Sequence, residues 1–187
     1  MSLLAEEVVE EWLRRDGYFT IRKLKAGRFE IDLLAIRPEK DRSLTCRHLE
    51  VQVSFRPISY ICKLTKRLQK ASGHGANSPR KRSPEEWPEC ADEWVQKKFL
   101  GAGKEAIRQT LAATNWSLEL VVHEVHFEEE LRYIELAASR RDYKIKIVRF
   151  RDVVSSLGTK TKGRYVTAGA DFVELLLLAS ENGSARR

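Results

Sequence analysis

Cysteine is scarce in this chain. Three occur in 187 residues, Cys46, Cys62 and Cys90, and they are widely spaced. An odd number at such intervals supplies neither a disulfide frame nor a zinc knuckle, and it predicts a reducing, cytoplasmic setting. Long apolar runs are also missing. The longest, Val173 to Ala179, is interrupted by Glu174. It falls far short of a bilayer span, so no membrane association is expected. Glu6, Glu7, Glu10 and Glu11 give the N-terminus the wrong charge for a secretion signal or transit peptide. No internal repeat is found. Acids are absent from one whole stretch, between Val51 and Pro84. That stretch carries Arg56, Lys63, Lys66, Arg67, Lys70, Arg80, Lys81 and Arg82, enough to account for the net charge of +7. Such a concentration suits a polyanion, with the basic groups holding phosphates. A solvated basic loop without a ligand is the plainer alternative and is at least as common.

What remains is a globular composition, 42% hydrophobic and 33% charged, sized for one domain. Residues 1–187 are read as a single unit. Its core covers about 2–126, with a basic mobile loop at 70–88 and an α/β extension over 127–187. The apolar stripe Leu4, Ala5, Val8, Val9, Trp12 and Leu13 predicts a helix from Ser2 to Arg15, stopped by Asp16-Gly17. Strands follow at Tyr18–Leu24, Phe29–Ile36 and Thr45–Phe55, joined by short polar turns as an antiparallel meander. Ile58–Leu68 reads as a helix. Glu89–Ala113 reads as another, bent near Gly101 and Gly103. Leu118–Val125 and Lys144–Phe150 read as strands, with a helix at Glu128–Arg141 between them and a last helix at Asp171–Ser180. This order predicts an α/β fold with a mixed sheet flanked by helices.

Two of these strands carry carboxylates within an apolar pattern. They read Phe29-Glu30-Ile31-Asp32-Leu33-Leu34-Ala35 and His48-Leu49-Glu50-Val51-Gln52-Val53. Side chains alternate between the faces of a strand. Asp32 therefore lies on the face opposite Ile31 and Leu33, and Glu50 and Gln52 lie opposite Leu49 and Val51. If the strands pair, Asp32 and Glu50 converge and can share one divalent cation. The alternative is that Glu30, Asp32, Glu50 and Gln52 simply face water on a half-exposed sheet.

An acid-bearing helix, a Gly-Tyr turn, a strand, a Glu-Ile-Asp-Leu-Leu-Ala strand and a Glu-Val-Gln strand together resemble the PD-(D/E)XK nuclease superfamily. Archaeal Holliday-junction resolvases and related small bacterial nuclease-like proteins are the nearest in pattern. The likeness covers Leu3 to Phe55 and continues through the helix and strand ending at Val125. It implies a restriction-endonuclease-like core of order α-β-β-β-α-β, and metal-dependent hydrolysis of DNA with Mg²⁺ or Mn²⁺. It assigns Asp32 and Glu50 as metal ligands, with the Val51 carbonyl as a further ligand. Glu6 becomes the helical acid, with Glu7 as the alternative. Gln52 stands where the superfamily has Lys. An amide can orient a water but brings no charge, so a lysine from elsewhere, Lys23, Lys63 or Lys104, is a candidate substitute. Lys63, Lys66, Arg67, Arg80, Lys81 and Arg82 are the expected phosphate contacts. The resolvase likeness would further require a homodimer.

Other signals are weaker. Gly101-Ala102-Gly103-Lys104-Glu105 lacks the spacing of a phosphate loop. His123 and His126 would fall on opposite faces of a strand. Trp87, Trp94 and Trp116 are more readily core or interface anchors than base-stacking platforms. Two rival functions stay open: a nuclease-fold protein that binds nucleic acid without cleaving it, and an interaction subunit docking through Glu174-Leu175-Leu176-Leu177-Leu178.

Overall fold

The computed structural model describes residues 2–27, 29–54 and 59–159. Five strands form one sheet in the order β1 (Phe19–Ala26), β2 (Phe29–Pro38), β3 (Leu44–Gln52), β4 (Trp116–Val122), β5 (Ile145–Arg149). β1, β2 and β3 pair antiparallel; β4 and β5 run parallel to β3. The mixed sheet expected from the sequence is therefore present. The helices are α1 (Ser2–Arg15), α2 (Lys66–Ser72), α3 (Glu86–Val95), α4 (Ala102–Leu111), α5 (Glu129–Ser139) and α6 (Phe150–Thr159). A π-helical turn, Gln96–Leu100, continues α3, and Gly101 separates it from α4.

The sheet divides the interior in two. On one face, Ala5, Val8, Val9 and Leu13 of α1 and Val153 and Leu157 of α6 pack on Leu33, Ala35, Leu49, Val51 and Val121. On the other, α3, the π turn and α5 bury Val95, Phe99, Leu131 and Ile134 against Leu118, Leu120, Val122 and Ile145. The β2–β3 half of this second face buries Leu34 and Cys46 but also carries polar groups. The β2–β3 half presents Asp32, His48 and Glu50, and the π turn and α4 close over it.

Two expected elements differ. The helix expected at 58–68 begins only at Lys66. Residues 59–65 are irregular because a carboxylate from α5, Glu130, accepts the backbone N–H groups of Ile61 (2.8 Å) and Cys62 (2.6 Å). Thr65 then caps α2, its hydroxyl accepting the Leu68 N–H at 3.2 Å. The expected helix at 89–113 is bent, but as a π turn followed by a break at Gly101. α6 has no counterpart in the sequence-based expectation. The expected helix 171–180, with its proposed docking face, lies outside the described residues. No helix among the described residues is long and apolar enough to cross a membrane.

Candidate active site

The register that pairs Leu33 with Leu49 carries Asp32 to the position opposite Glu50, on the same face. Asp32 Oδ2 accepts the Val51 N–H at 2.9 Å, which fixes the carboxylate at the end of β3. Glu50 is wholly buried. Lys98, on the π turn, places Nζ 2.6 Å from Glu50 Oε2 and 3.8 Å from Asp32 Oδ1. Lys104, near the start of α4, donates to Glu50 Oε1 at 2.6 Å and to the Lys98 carbonyl at 2.7 Å. Glu50 thus has an ammonium on each oxygen.

A pocket of about 320 Å³ opens beside Asp32, lined by Glu6, Lys23, Glu30, Asp32, Gln52 and Lys98 together with Val51 and Val53. Glu6 reaches it from α1. It is 4% exposed, its Oε2 has no hydrogen-bond partner, and the nearest cation, Lys23 Nζ, is 3.9 Å away. Lys23 occupies the β1 position facing Asp32 with a left-handed backbone, φ 51°. That conformation costs a residue with a Cβ roughly 1–2 kcal/mol. Strain of this kind collects at functional sites, as do π turns.

The electrostatics follow from burial and crowding. Burial lifts the Asp32 carboxyl from 3.8 to about 6, helped by the adjacent Glu50 charge and opposed by Lys98 and the Val51 N–H. Burial pulls Lys98 down, but Glu50 and Asp32 together raise it above the ordinary lysine value. Lys98 is therefore an ammonium at neutral pH. For Lys104 burial wins, and its pKa is lowered despite the bond to Glu50.

Among the described residues, no three His, Cys, Asp or Glu side chains group as a metal cage. A hard divalent ion needs less. Mg²⁺ commonly takes one or two carboxylates and fills its remaining positions with water and substrate oxygen. Asp32 and Glu50 are two carboxylates side by side, with both Glu50 oxygens held by lysines. Glu6 Oε2, without a hydrogen bond but 3.9 Å from Lys23 Nζ, adds a further acidic group beside the raised Asp32 carboxyl.

The structure gathers Glu6, Asp32, Glu50, Val51 and Gln52 at one place. Of the three lysines singled out from the sequence, Lys104 reaches Glu50, Lys23 lines the pocket, and Lys63 lies exposed outside its lining. Lys98, His48 and Arg108 join the site without any sequence signal that singles them out. A π turn inserts an extra residue into the helical period, so the direction of Lys98 is not readable from spacing.

The basic segment needs correction. Arg82 is 3% exposed. Its guanidinium lies 3.8 Å from the Tyr60 ring centroid and 3.7 Å from Glu130, and donates to the Cys62 carbonyl. It belongs to the interior, so it is not a phosphate contact. Arg80 is paired with Glu86 and Arg67 with Glu89. Lys63, Lys66 and Lys81 are exposed. The stretch expected to be a mobile loop is tied down by the Tyr60 hydroxyl, which donates to the Arg80 carbonyl at 2.9 Å, and by Arg82. Compared with known proteins, the chain matches no family model, no curated protein and no solved structure.

Proposed function

We propose that this protein is a metal-dependent nuclease of restriction-endonuclease-like fold, hydrolysing DNA phosphodiester bonds, with Lys98 in the role the superfamily gives to a lysine at the Gln52 position. The observation that carries this reading is the Lys98 ammonium, 2.6 Å from Glu50 and 3.8 Å from Asp32 at an open pocket. Asp32 and Glu50 would hold Mg²⁺ or Mn²⁺. When bound, the ion supplies acidity to a water and neutralises phosphate charge.

The chain's own groups divide the remaining work. Lys98 stays protonated, so it is not a base. It aligns the attacking water and stabilises negative charge as it builds on the phosphate oxygens. Gln52 can orient a water by hydrogen bonding. Water adds to phosphorus, the bond from phosphorus to the leaving sugar oxygen breaks, the water proton passes to solvent, and the leaving oxygen takes a proton from solvent to become a hydroxyl. Lys63, Lys66 and Lys81 remain as candidate contacts to the DNA backbone.

A second reading rests on a specific observation. Both oxygens of Glu50 are already engaged by lysines, as expected of a nuclease fold that binds nucleic acid without cutting it. One experiment separates the two. Wild type, Asp32→Asn and Lys98→Met are incubated with plasmid, linear, branched and single-stranded DNA in Mn²⁺. The nuclease reading predicts cleavage by wild type that Asp32→Asn abolishes and Lys98→Met lowers about 100-fold while DNA binding persists. Equal product from wild type and Asp32→Asn would refute it. Salt-dependent binding with no product from any variant would establish the second reading.

A further inference from the structure

Behind the pocket lies a second tier of buried polar groups, none of which belongs to its lining. His48 is fully buried and lies between Glu50 and Arg108. Its Nδ1 is 2.8 Å from Arg108 Nη1, and its Nε2 is 3.2 Å from Glu50 Oε1. Arg108, 1% exposed, also donates to the Phe99 carbonyl at 2.8 Å and pairs with Glu105.

Guanidinium has donors only. Arg108 Nη1 must therefore donate to His48 Nδ1, which has to be the unprotonated nitrogen. The single ring proton then sits on Nε2, directed at Glu50 Oε1. Glu50 Oε1 receives both this N–H and Lys104, which leaves Oε2 to Lys98.

The same tier also fixes Lys98. Gly101 ends the π turn, and carbonyls at a broken helix end need other donors. Lys104 takes the Lys98 carbonyl, and Arg108, one turn further along α4, takes the Phe99 carbonyl. Each α4 cation holds the π turn with one bond and the acidic strand β3, directly or through His48, with another.

We infer that His48 and Arg108 are positioning residues that lock the orientation of Glu50 and its spacing from Lys98. As a statement about catalysis, this rests on the nuclease reading. Two measurements test it, one of them independent of activity. The first is long-range ¹H–¹⁵N correlation on the metal-free wild type at neutral pH, which reads the His48 tautomer directly. The Nε2–H form is expected. An Nδ1–H form or an imidazolium would overturn the inference whether or not the protein cleaves DNA.

The second compares His48→Leu with His48→Gln, whose side-chain amide can still offer an N–H near the Nε2 position. Both are first checked for folding by circular dichroism. His48→Leu should lower kcat, and weaken Mn²⁺ binding measured by calorimetry, by about 10–100-fold, as removal of a group supporting a ligand typically does. KM for DNA should hardly move. His48→Gln should recover to within about fivefold of wild type. A folded His48→Leu protein with wild-type kcat and Mn²⁺ affinity would overturn the inference. If His48→Leu does not fold, His48→Gln decides by the same two readouts, a drop as deep as about 100-fold counting against the clamp. A wild type that neither cleaves nor binds Mn²⁺ would refute the nuclease reading, and the tautomer would still decide the clamp.

Discussion

Replacing Asp32 by Asn is expected to stabilise the metal-free fold at neutral pH, although the same change is expected to abolish activity. The folded state raises the Asp32 carboxyl from 3.8 to about 6, through burial first and the Glu50 charge second. Folding therefore favours the protonated form. The stability this group contributes is fully present below its unfolded value of 3.8 and is lost as pH rises through about 6. Between those plateaus the difference is about 3 kcal/mol. Asn never ionises, and its carbonyl can still accept the Val51 N–H. Removing the ion pair with Lys98, 3.8 Å long, trims the benefit. The net expectation is a variant more stable than wild type by about 1–3 kcal/mol near pH 8 and by little near pH 4. Urea unfolding of both proteins across that range, in chelator, measures the difference. Saturating Mn²⁺ should then reverse the order, because the ion binds only the folded wild type with effect. A variant no more stable than wild type near pH 8, or a difference that does not change with pH, would refute the account of a crowded, charge-poised pocket.

Further substitutions test the neighbouring assignments. Lys98→Met should reduce cleavage about 100-fold while leaving Mn²⁺ affinity equal or higher, since it removes a competing cation; weaker metal binding would contradict this. Gln52→Lys added to Lys98→Met should restore part of the rate, because both positions open on one pocket, and no recovery would argue against the substitution of one lysine by the other. Arg82→Ala should lower stability by about 3–5 kcal/mol by leaving Glu130 buried without its cation, with the salt dependence of DNA binding unchanged; a reduced salt slope would return Arg82 to the DNA interface. Ala at Lys63, Lys66 and Lys81 together should flatten that salt dependence by about one unit of slope for each phosphate no longer neutralised.

The carboxylate face is legible in the sequence because a strand has a period of two and Asp32 and Glu50 each interrupt an apolar alternation. Pairing of adjacent strands through short turns then brings them together, and α1 can be read from its apolar stripe. The lysine that meets them is not legible. It sits on a π turn whose extra residue breaks the 3.6 period, and its location depends on Lys104 and Arg108 capping two carbonyls released at Gly101. The basic stretch misleads for a related reason. Charge counts locate arginines along the chain, but they do not reveal that Glu130, far away in α5, organises the segment around Cys62 and draws Arg82 inward. Long-range partners such as the Arg47–Glu119 pair, joined at 2.7 and 2.6 Å on the opposite face, leave no local sequence signature either.

The central claim is that Asp32 and Glu50 form a metal site served by Lys98. Diffraction from crystals soaked in Mn²⁺, recorded for anomalous signal, addresses it most directly. The account predicts a peak between the Asp32 and Glu50 carboxylates, with Lys98 Nζ displaced from Glu50 Oε2 toward the pocket. Soaked crystals with no peak there, and with Lys98 still bonded to Glu50, would contradict it.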